Sequence, residues 1–310
     1  MVIATTYKYF GEISDMLVNE HGIDRKTITS IDDYAFSYLC QTFSIALDIC
    51  GFGSPFLYMD AVTTHSILKA VQDHLVIDYE LILQKTYSKF IKCGDVVIDI
   101  GAHSGFHTTH FSRLVGNSGK LFAFEPLPGK YVELSEKFIK DNMHIINYAL
   151  SDFEGEIDFY EFPKLSELSG IKVRNTYKFD TEFQTDVNII KVRCAKLDSF
   201  IDHFNRIDYI KIDCEGAEIS IITGGQKAID MFRPIISVEY GYGSYSYYSL
   251  TKNSLFELCE KIGYFITDIF GNIIPTLELW RELCDTVYWD YFLVPKEKIK
   301  YFWTQVHDKR

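Results

Sequence analysis

No two cysteines in this sequence form a CxxC pair. The seven (Cys40, Cys50, Cys93, Cys194, Cys214, Cys259 and Cys284) are scattered and odd in number. That argues against a zinc knuckle or a disulfide framework and for free thiols in a reducing compartment. A run of 18 apolar residues is also missing, and the N-terminus lacks a basic-then-apolar leader. No membrane span is expected, and the chain reads as cytoplasmic. Basic residues are outnumbered: 31 Lys and Arg against 43 Asp and Glu leave a formal net charge of -12. An acidic chain without a Lys/Arg run repels phosphate backbones, so a nucleic-acid partner is not expected. There is no internal repeat or low-complexity segment.

What is present begins with size. The 310 residues, 47% of them hydrophobic, suffice for one α/β domain of roughly 200 to 250 residues plus additions. The 24 Phe and 21 Tyr are first of all core packing, with a ring-lined pocket as the lesser reading. The most ordered stretch is Val96-Val97-Ile98-Asp99-Ile100-Gly101-Ala102-His103-Ser104-Gly105. A β-branched run broken by two glycines, with room for a helix from Phe106 to Val115, is the start of a nucleotide-type α/β unit. Asp99 is a carboxylate in an apolar strand. Burial there is costly without partners, so it must hydrogen-bond the turn, a ligand, or both.

Strand and helix patterns alternate from there onward. Leu121 to Glu125, Met143 to Leu150, Val187 to Ala195, Asp208 to Asp213 and Pro234 to Glu239 read as strands. So do Tyr264 to Phe270 and Val287 to Val294. Asp78 to Lys92, Gly129 to Asp141, Gly216 to Met231 and Leu250 to Ile262 read as helices. Such alternation predicts a doubly wound, mainly parallel sheet, and the two late strands allow an antiparallel edge. Residues 1–78 form an N-terminal extension, a cap or an oligomer contact; within it Asp32 to Cys50 and Thr64 to His74 could be helices. The main domain is expected over 79–295 with an insertion at 153–195. Part of that insertion, Pro163 to Asp186, reads as a long polar loop. A helical tail is expected over 296–310.

Ligands of open α/β sheets sit beyond the carboxyl ends of the strands. The sequence puts Gly101, Glu125, Asp152, Asp213 and Glu239 at that rim. Any one of these acids alone is a helix cap or a solvated loop residue; together they mark one site. Glu125 follows Gly105 by 20 residues, the spacing at which a carboxylate reaches ribose hydroxyls. The middle glycine of G-x-G-x-x-G is absent, and that glycine is what lets backbone approach a pyrophosphate. A ligand with ribose and adenine but no phosphate fits better, and S-adenosylmethionine is such a ligand. A sulfonium cation also suits an acidic site.

The chain resembles the FkbM-type family of S-adenosylmethionine-dependent methyltransferases. The resemblance rests on blocks in order. These are Tyr79-Glu80, then Gly94 to Gly105, then Phe122-Ala123-Phe124-Glu125-Pro126-Leu127-Pro128, then Ala149-Leu150-Ser151-Asp152. Leu197-Asp198-Ser199-Phe200 comes next, followed by Ile210-Lys211-Ile212-Asp213-Cys214-Glu215-Gly216-Ala217-Glu218, then Arg233-Pro234 with Glu239. The resemblance spans about Asp78 to Phe270. It implies a seven-stranded class I (Rossmann-like) methyltransferase fold and methyl transfer, typically to a hydroxyl oxygen. It also implies that Gly101, His103 and Gly105 hold the methionine part, with Glu80, Asp99, Ala102 and Asp213 also binding the cofactor. Glu125 would hold the ribose, with Ser151 and Asp152 at the adenine edge. His103 stands where the family often has Asn, and Leu127 where a polar residue is common.

A hydroxyl acceptor needs a base or a metal ion. Asp213, Lys211 and Glu239 are the catalytic candidates. Lys211-x-Asp213-x-Glu215 would share one face if the strand continues. A Lys211–Asp213 structural ion pair is the plainer reading. A divalent ion on Asp213, Glu215 and Glu239 stays open as a weak alternative, since hard oxygens suit magnesium. His103 and His107 have HxxxH spacing but lack a further ligand; His107 is read as helix surface and His110 as solvent-facing. The loop Tyr240 to Tyr248 suits a sugar ring or a protein partner. The expected acceptor is a hydroxyl of a glycan, a sugar or a small natural product, with a homo-oligomer also open. The competing readings are a nicotinamide-dependent oxidoreductase, disfavoured by the missing glycine, and a non-catalytic cofactor-binding scaffold.

Overall fold

The computed structural model describes residues 2–3, 28–29, 61–71, 79–172 and 187–307. The chain divides into two compact units, Met1–Asp78 and Tyr79–Asp308. In the first, Val2–Ile3 pairs in parallel with Ile28–Thr29, and Ala61–Val71 is a helix. The helix expected over Asp32 to Cys50 and residues 173–186 of the polar loop lie outside the described residues.

The second unit opens with α1 (Tyr79–Ser88). Strand β1 (Val96–Ile100) leads into α2 (Phe106–Val115), and β2 (Lys120–Phe124) into α3 (Pro128–Lys137). Then come β3 (Met143–Ile146), β4 (Ala149–Leu150), β5 (Gly155–Glu161) and β6 (Asn188–Ala195). After β7 (Tyr209–Ile212) the helix expected from Gly216 to Met231 is broken at Gly225 into α4 (Glu218–Gly224) and α5 (Gln226–Phe232). A Cβ at Gly225 would lie 2.9 Å from Leu197 Cδ2, so the break lets the chain pass close to that side chain. The remainder is β8 (Ile235–Glu239), α6 (Tyr242–Tyr245), α7 (Ser254–Ile262), β9 (Tyr264–Thr267) and β10 (Ile273–Ile274). It closes with α8 (Leu277–Leu283), β11 (Asp290–Pro295) and α9 (Ile299–His307).

Eight strands form the main sheet in the order β10-β9-β11-β8-β7-β1-β2-β3. Strands β8, β7, β1, β2 and β3 run parallel. The sheet has the expected antiparallel edge, since β10 at the edge pairs antiparallel with β9, but β10 makes eight strands rather than the expected seven. A further antiparallel strand, β11, lies inside the sheet, between β8 and β9. Helix α8 separates β9 from β11 in sequence, which gives the chain length to place β11 inside. A second sheet, β4-β6-β5, is built on the insertion, whose β5 and β6 form an antiparallel hairpin.

All five residues of β1 are buried, as a parallel strand covered on both faces requires. One face carries the main core, where Val97, Tyr209, Ile235 and Phe292 pack with Tyr87, Phe90, Phe111 and Phe302 from the helices. Two rungs further along, the same strands turn polar. Asp99 stands opposite Lys211 and Lys211 opposite Ser237. Glu239 then stands opposite Asp290. Side-chain alternation thus stacks an ionic layer on an apolar one, at the carboxyl end of the sheet.

Candidate active site

A cavity of about 520 Å³ opens at that carboxyl end. Its floor is the turn after β1. Gly101 has φ 85°, and a Cβ there would meet the Asp213 carbonyl oxygen at 2.0 Å. Only glycine lets the first turn and the end of β7 approach this closely. His103, also left-handed (φ 47°), donates its backbone N–H to Glu125 Oε2 (2.7 Å), and Leu127 N–H donates to Oε1 (2.8 Å). Burial pushes the Glu125 carboxyl up to about 7 against these two bonds.

Asp99 lines the cavity but braces the helix rather than the turn. Thr108 Oγ1 donates to its Oδ2 (2.6 Å). Its Oδ1 is buried without a hydrogen-bond partner among the described residues. Burial raises this carboxyl, with Lys211 opposing. Lys211 Nζ is 2.8 Å from Asp213 Oδ2. Burial would lower the Lys211 ammonium, but Asp213, Asp99 and Glu80 hold it well above its ordinary range. The Asp213 carboxyl resists burial and stays well below its ordinary value, because Lys211 and a hydrogen bond from Glu239 favour its anion. Glu239 moves the other way, raised by burial and by Asp213. Asp213 and Glu239 therefore titrate as a pair, with Asp213 the more acidic member.

The face-sharing pattern Lys211-x-Asp213-x-Glu215 does not form, because β7 ends at Ile212. Glu215 instead enters a left-handed turn (φ 57°). That turn still brings Asp213, Glu215 and Glu239 oxygens within 4.8 Å of one another. Glu218 holds the turn from below: Cys214 N–H (3.1 Å) and Gly216 N–H (3.0 Å) both donate to its Oε1.

Of the sequence candidates, Glu80, Asp99, Gly101, Ala102, His103, Glu125, Lys211, Asp213, Glu215 and Glu239 line the cavity. Gly105, Ser151 and Asp152 are not among the lining residues. Gly105 serves the turn, with φ 79° ahead of α2. Ser151 points its N–H at Ala195 O in the second sheet, and Asp152 is exposed. The wall there is Tyr148, Ala149, Leu150 and Phe159. His107 is not helix surface: it is buried and hydrogen-bonded to Glu80 (2.6 Å) and Tyr87 (2.9 Å). His110 bonds Ser88 Oγ at 2.8 Å. His103 Nε2 bonds Ser166 Oγ at 2.8 Å, which ties the insertion across the turn.

None of Tyr240 to Tyr248 lines the cavity. Tyr240 is fully buried and stacks on Tyr245, centroids 4.8 Å apart. Besides Tyr148 and Phe159, rings reach the cavity from Tyr79, Tyr288 and Trp289, with Asp290 beside them. Tyr79 belongs to the Tyr79-Glu80 block, but Tyr288, Trp289 and Asp290, with Ser166 to Ile171, carried no local motif. The only sequence sign for the last group was its place in an insertion.

Among the described residues no helix is long and apolar enough to cross a membrane. The family model for the methyltransferase FkbM domain matches residues 99–283. Solved structures similar to this chain include a methyltransferase FkbM from Methylobacillus flagellatus KT. It is 12% identical, over 94% of this chain and 83% of that one, with a TM-score of 0.39. Another is a SAM-dependent methyltransferase from Aquifex aeolicus, 12% identical over 74% of this chain and 96% of that one, TM-score 0.38. A third is a SAM-dependent O-methyltransferase from Thermotoga maritima, 12% identical over 74% of this chain and 71% of that one, TM-score 0.37. No curated protein matches the sequence.

Proposed function

The chain belongs to the methyltransferase FkbM domain family, and on that footing we propose that it moves a methyl group from S-adenosylmethionine to a hydroxyl oxygen of a sugar, a glycan or a small natural product. One observation supports this most. A glycine turn with the Glu125 carboxylate beside it shares a single cavity with buried Lys211 and half-buried Asp213 and Glu239.

The residues fit an adenosyl donor. Glu125 spends one lone pair of each oxygen on a backbone N–H. A carboxylate offers about four such sites, so it can still accept from two ribose hydroxyls. Leu127, Ala149, Leu150 and Phe159 give a base an apolar wall, and the turn from Gly101 to Ser104 would hold the methionine half. When bound, S-adenosylmethionine supplies an electrophilic methyl group on a sulfonium. The protein's own task is to align the acceptor oxygen and remove its proton. Lys211 favours the Asp213 anion, while burial and Asp213 raise the Glu239 carboxyl. The Asp213 carboxylate would accept a hydrogen bond from the acceptor hydroxyl and receive its proton as the C–O bond forms and the methyl–sulfur bond breaks, its electron pair leaving with a neutral thioether. The positive charge among the three acids comes from the Lys211 ammonium, so this reading requires no metal ion.

The test is thermal unfolding with S-adenosylhomocysteine and, separately, with NAD. Stabilisation by the thioether alone is expected, and Glu125→Ala should remove it. Stabilisation by NAD alone would overturn the proposal. Thioether binding without methylation of any member of a hydroxyl library would favour a scaffold instead.

A further inference from the structure

One side of the cavity holds more carboxyl groups than cations, and rings frame them. Asp213 is paired with Lys211 and hydrogen-bonded with Glu239. Glu80 is held by His107. Asp290 lies among these acids, opposite Glu239 in the antiparallel register. Among the described residues no ion pair reaches it. Burial and its neighbours Glu80 and Asp213 raise its carboxyl well above the ordinary value, with Lys211 opposing.

An aromatic corner adjoins Asp290. Tyr79 and Tyr288 have ring centroids 6.1 Å apart and inclined by 57°. Trp289 rests against Gly241, where a Cβ would stand 2.9 Å from indole Cγ and 3.1 Å from both Cδ1 and Cδ2. Glycine at 241 thus backs the indole, which remains 48% exposed and lines the cavity. Ring faces carry negative potential and attract ammonium groups; carboxylates beside them complete a cation cage.

We propose that the acceptor carries a protonated amine close to the hydroxyl that is methylated, and that Tyr79, Glu80, Tyr288, Trp289 and Asp290 hold that amine. The proposal rests on the methyl-transfer reading above and narrows its acceptor to an amino sugar or a similar amino alcohol. The rings take the apolar face of a pyranose, and Glu80 and Asp290 take the ammonium. A phosphorylated or carboxylated acceptor is refused, because an anion would lose its water among like charges. The donor's own α-ammonium is the other cation at hand, so the test must separate the two.

The full chain is loaded with S-adenosylhomocysteine and titrated calorimetrically with methyl glucosaminide, methyl N-acetylglucosaminide and methyl glucoside. The free amine is expected to bind at least about tenfold tighter than the other two, the scale of one cation–π contact with a carboxylate beside it. Asp290→Asn and Trp289→Ala should each erase the margin and leave S-adenosylhomocysteine affinity unchanged. Trp289→Phe should keep most of the margin, which separates a lost ring from a misfolded chain. Equal binding of amine and neutral glycosides, or no binding of any of the three, overturns the amine subsite while methyl transfer stands. If the variants lose S-adenosylhomocysteine affinity instead, the corner belongs to the donor and the proposal is wrong. A wild-type protein that fails to bind S-adenosylhomocysteine defeats the parent reading first.

Discussion

Lys211 Nζ lies 2.8 Å from Asp213 Oδ2, with the lysine side chain 3% exposed and the aspartate 32%. The two residues are the last inward-facing position of β7 and the first residue beyond that strand. The fold therefore fixes their separation before any ligand arrives. Lys211 also faces Asp99 across the sheet, so one ammonium answers several acids. Lys211→Met is expected to destabilise the protein by about 3–5 kcal/mol at neutral pH, because removing one partner strands buried negative charge. Urea denaturation measures this, and the double variant Lys211→Met/Asp213→Asn should recover part of the loss. A single variant as stable as wild type would mean that the pair is solvated.

Asp213→Asn separates binding from chemistry. Asparagine keeps the shape and can still accept from Lys211, but it cannot take a proton. S-adenosylhomocysteine affinity should change little, while methyl transfer falls by about 10²-fold or more, the usual contribution of a positioned base. Turnover equal to wild type would remove Asp213 from that role.

Much of this site was readable from sequence, for a physical reason. Parallel strands covered on both faces are continuous apolar runs, so Val96–Ile100 and Tyr209–Ile212 announce themselves, and the acids at their ends mark the rim. Glu125 was legible because its spacing from the turn is set by one helix and one strand. Other parts depend on tertiary register. Asp290 meets Glu239 only through antiparallel pairing of distant strands. Glu215 reaches Asp213 through a left-handed turn rather than strand alternation. The Tyr240 to Tyr248 segment shows that composition can mislead. Tyr240 and Tyr245 pack into the protein, Tyr245 bonded to Asp285, and none of the segment lines the cavity, which takes rings from Tyr79, Tyr288 and Trp289 among others.

Gly101→Ala tests whether the close approach of the turn to β7 is required. The new Cβ would lie 2.0 Å from a backbone oxygen that cannot swing aside, at φ 85°. Strain of at least about 1–3 kcal/mol is expected from the backbone conformation alone. The relief available is to separate the turn from Asp213, which opens the donor side of the cavity. The variant should melt lower and lose stabilisation by S-adenosylhomocysteine. Full ligand-induced stabilisation in this variant would show that the turn tolerates displacement.

The buried acids also set a pH dependence. Burial pushes Glu218 up to about 7 from an ordinary value of 4.5, although its own backbone N–H and those of Gly216 and Cys214 favour the anion. Glu125 is likewise raised to about 7 and Asp268 to about 6. Below about 4.5 these groups are protonated whether the chain is folded or not, and their contribution to stability is fully present. Above that, the unfolded chain ionises freely while the folded chain resists, so the contribution is lost as pH rises through about 7. The lowered carboxyl of Asp213 acts in the opposite sense, but only below its ordinary value of 3.8. The contribution of these acids to the melting temperature should therefore fall between about pH 4.5 and pH 7, opposed by histidines such as His103 and His307, whose imidazoles burial lowers. Glu218→Gln keeps an oxygen to accept from Cys214 and Gly216 but cannot ionise. Its melting curve should decline less steeply over the same window, whatever its absolute level. An unaltered slope would show that residue 218 does not titrate there and that the decline comes from other groups.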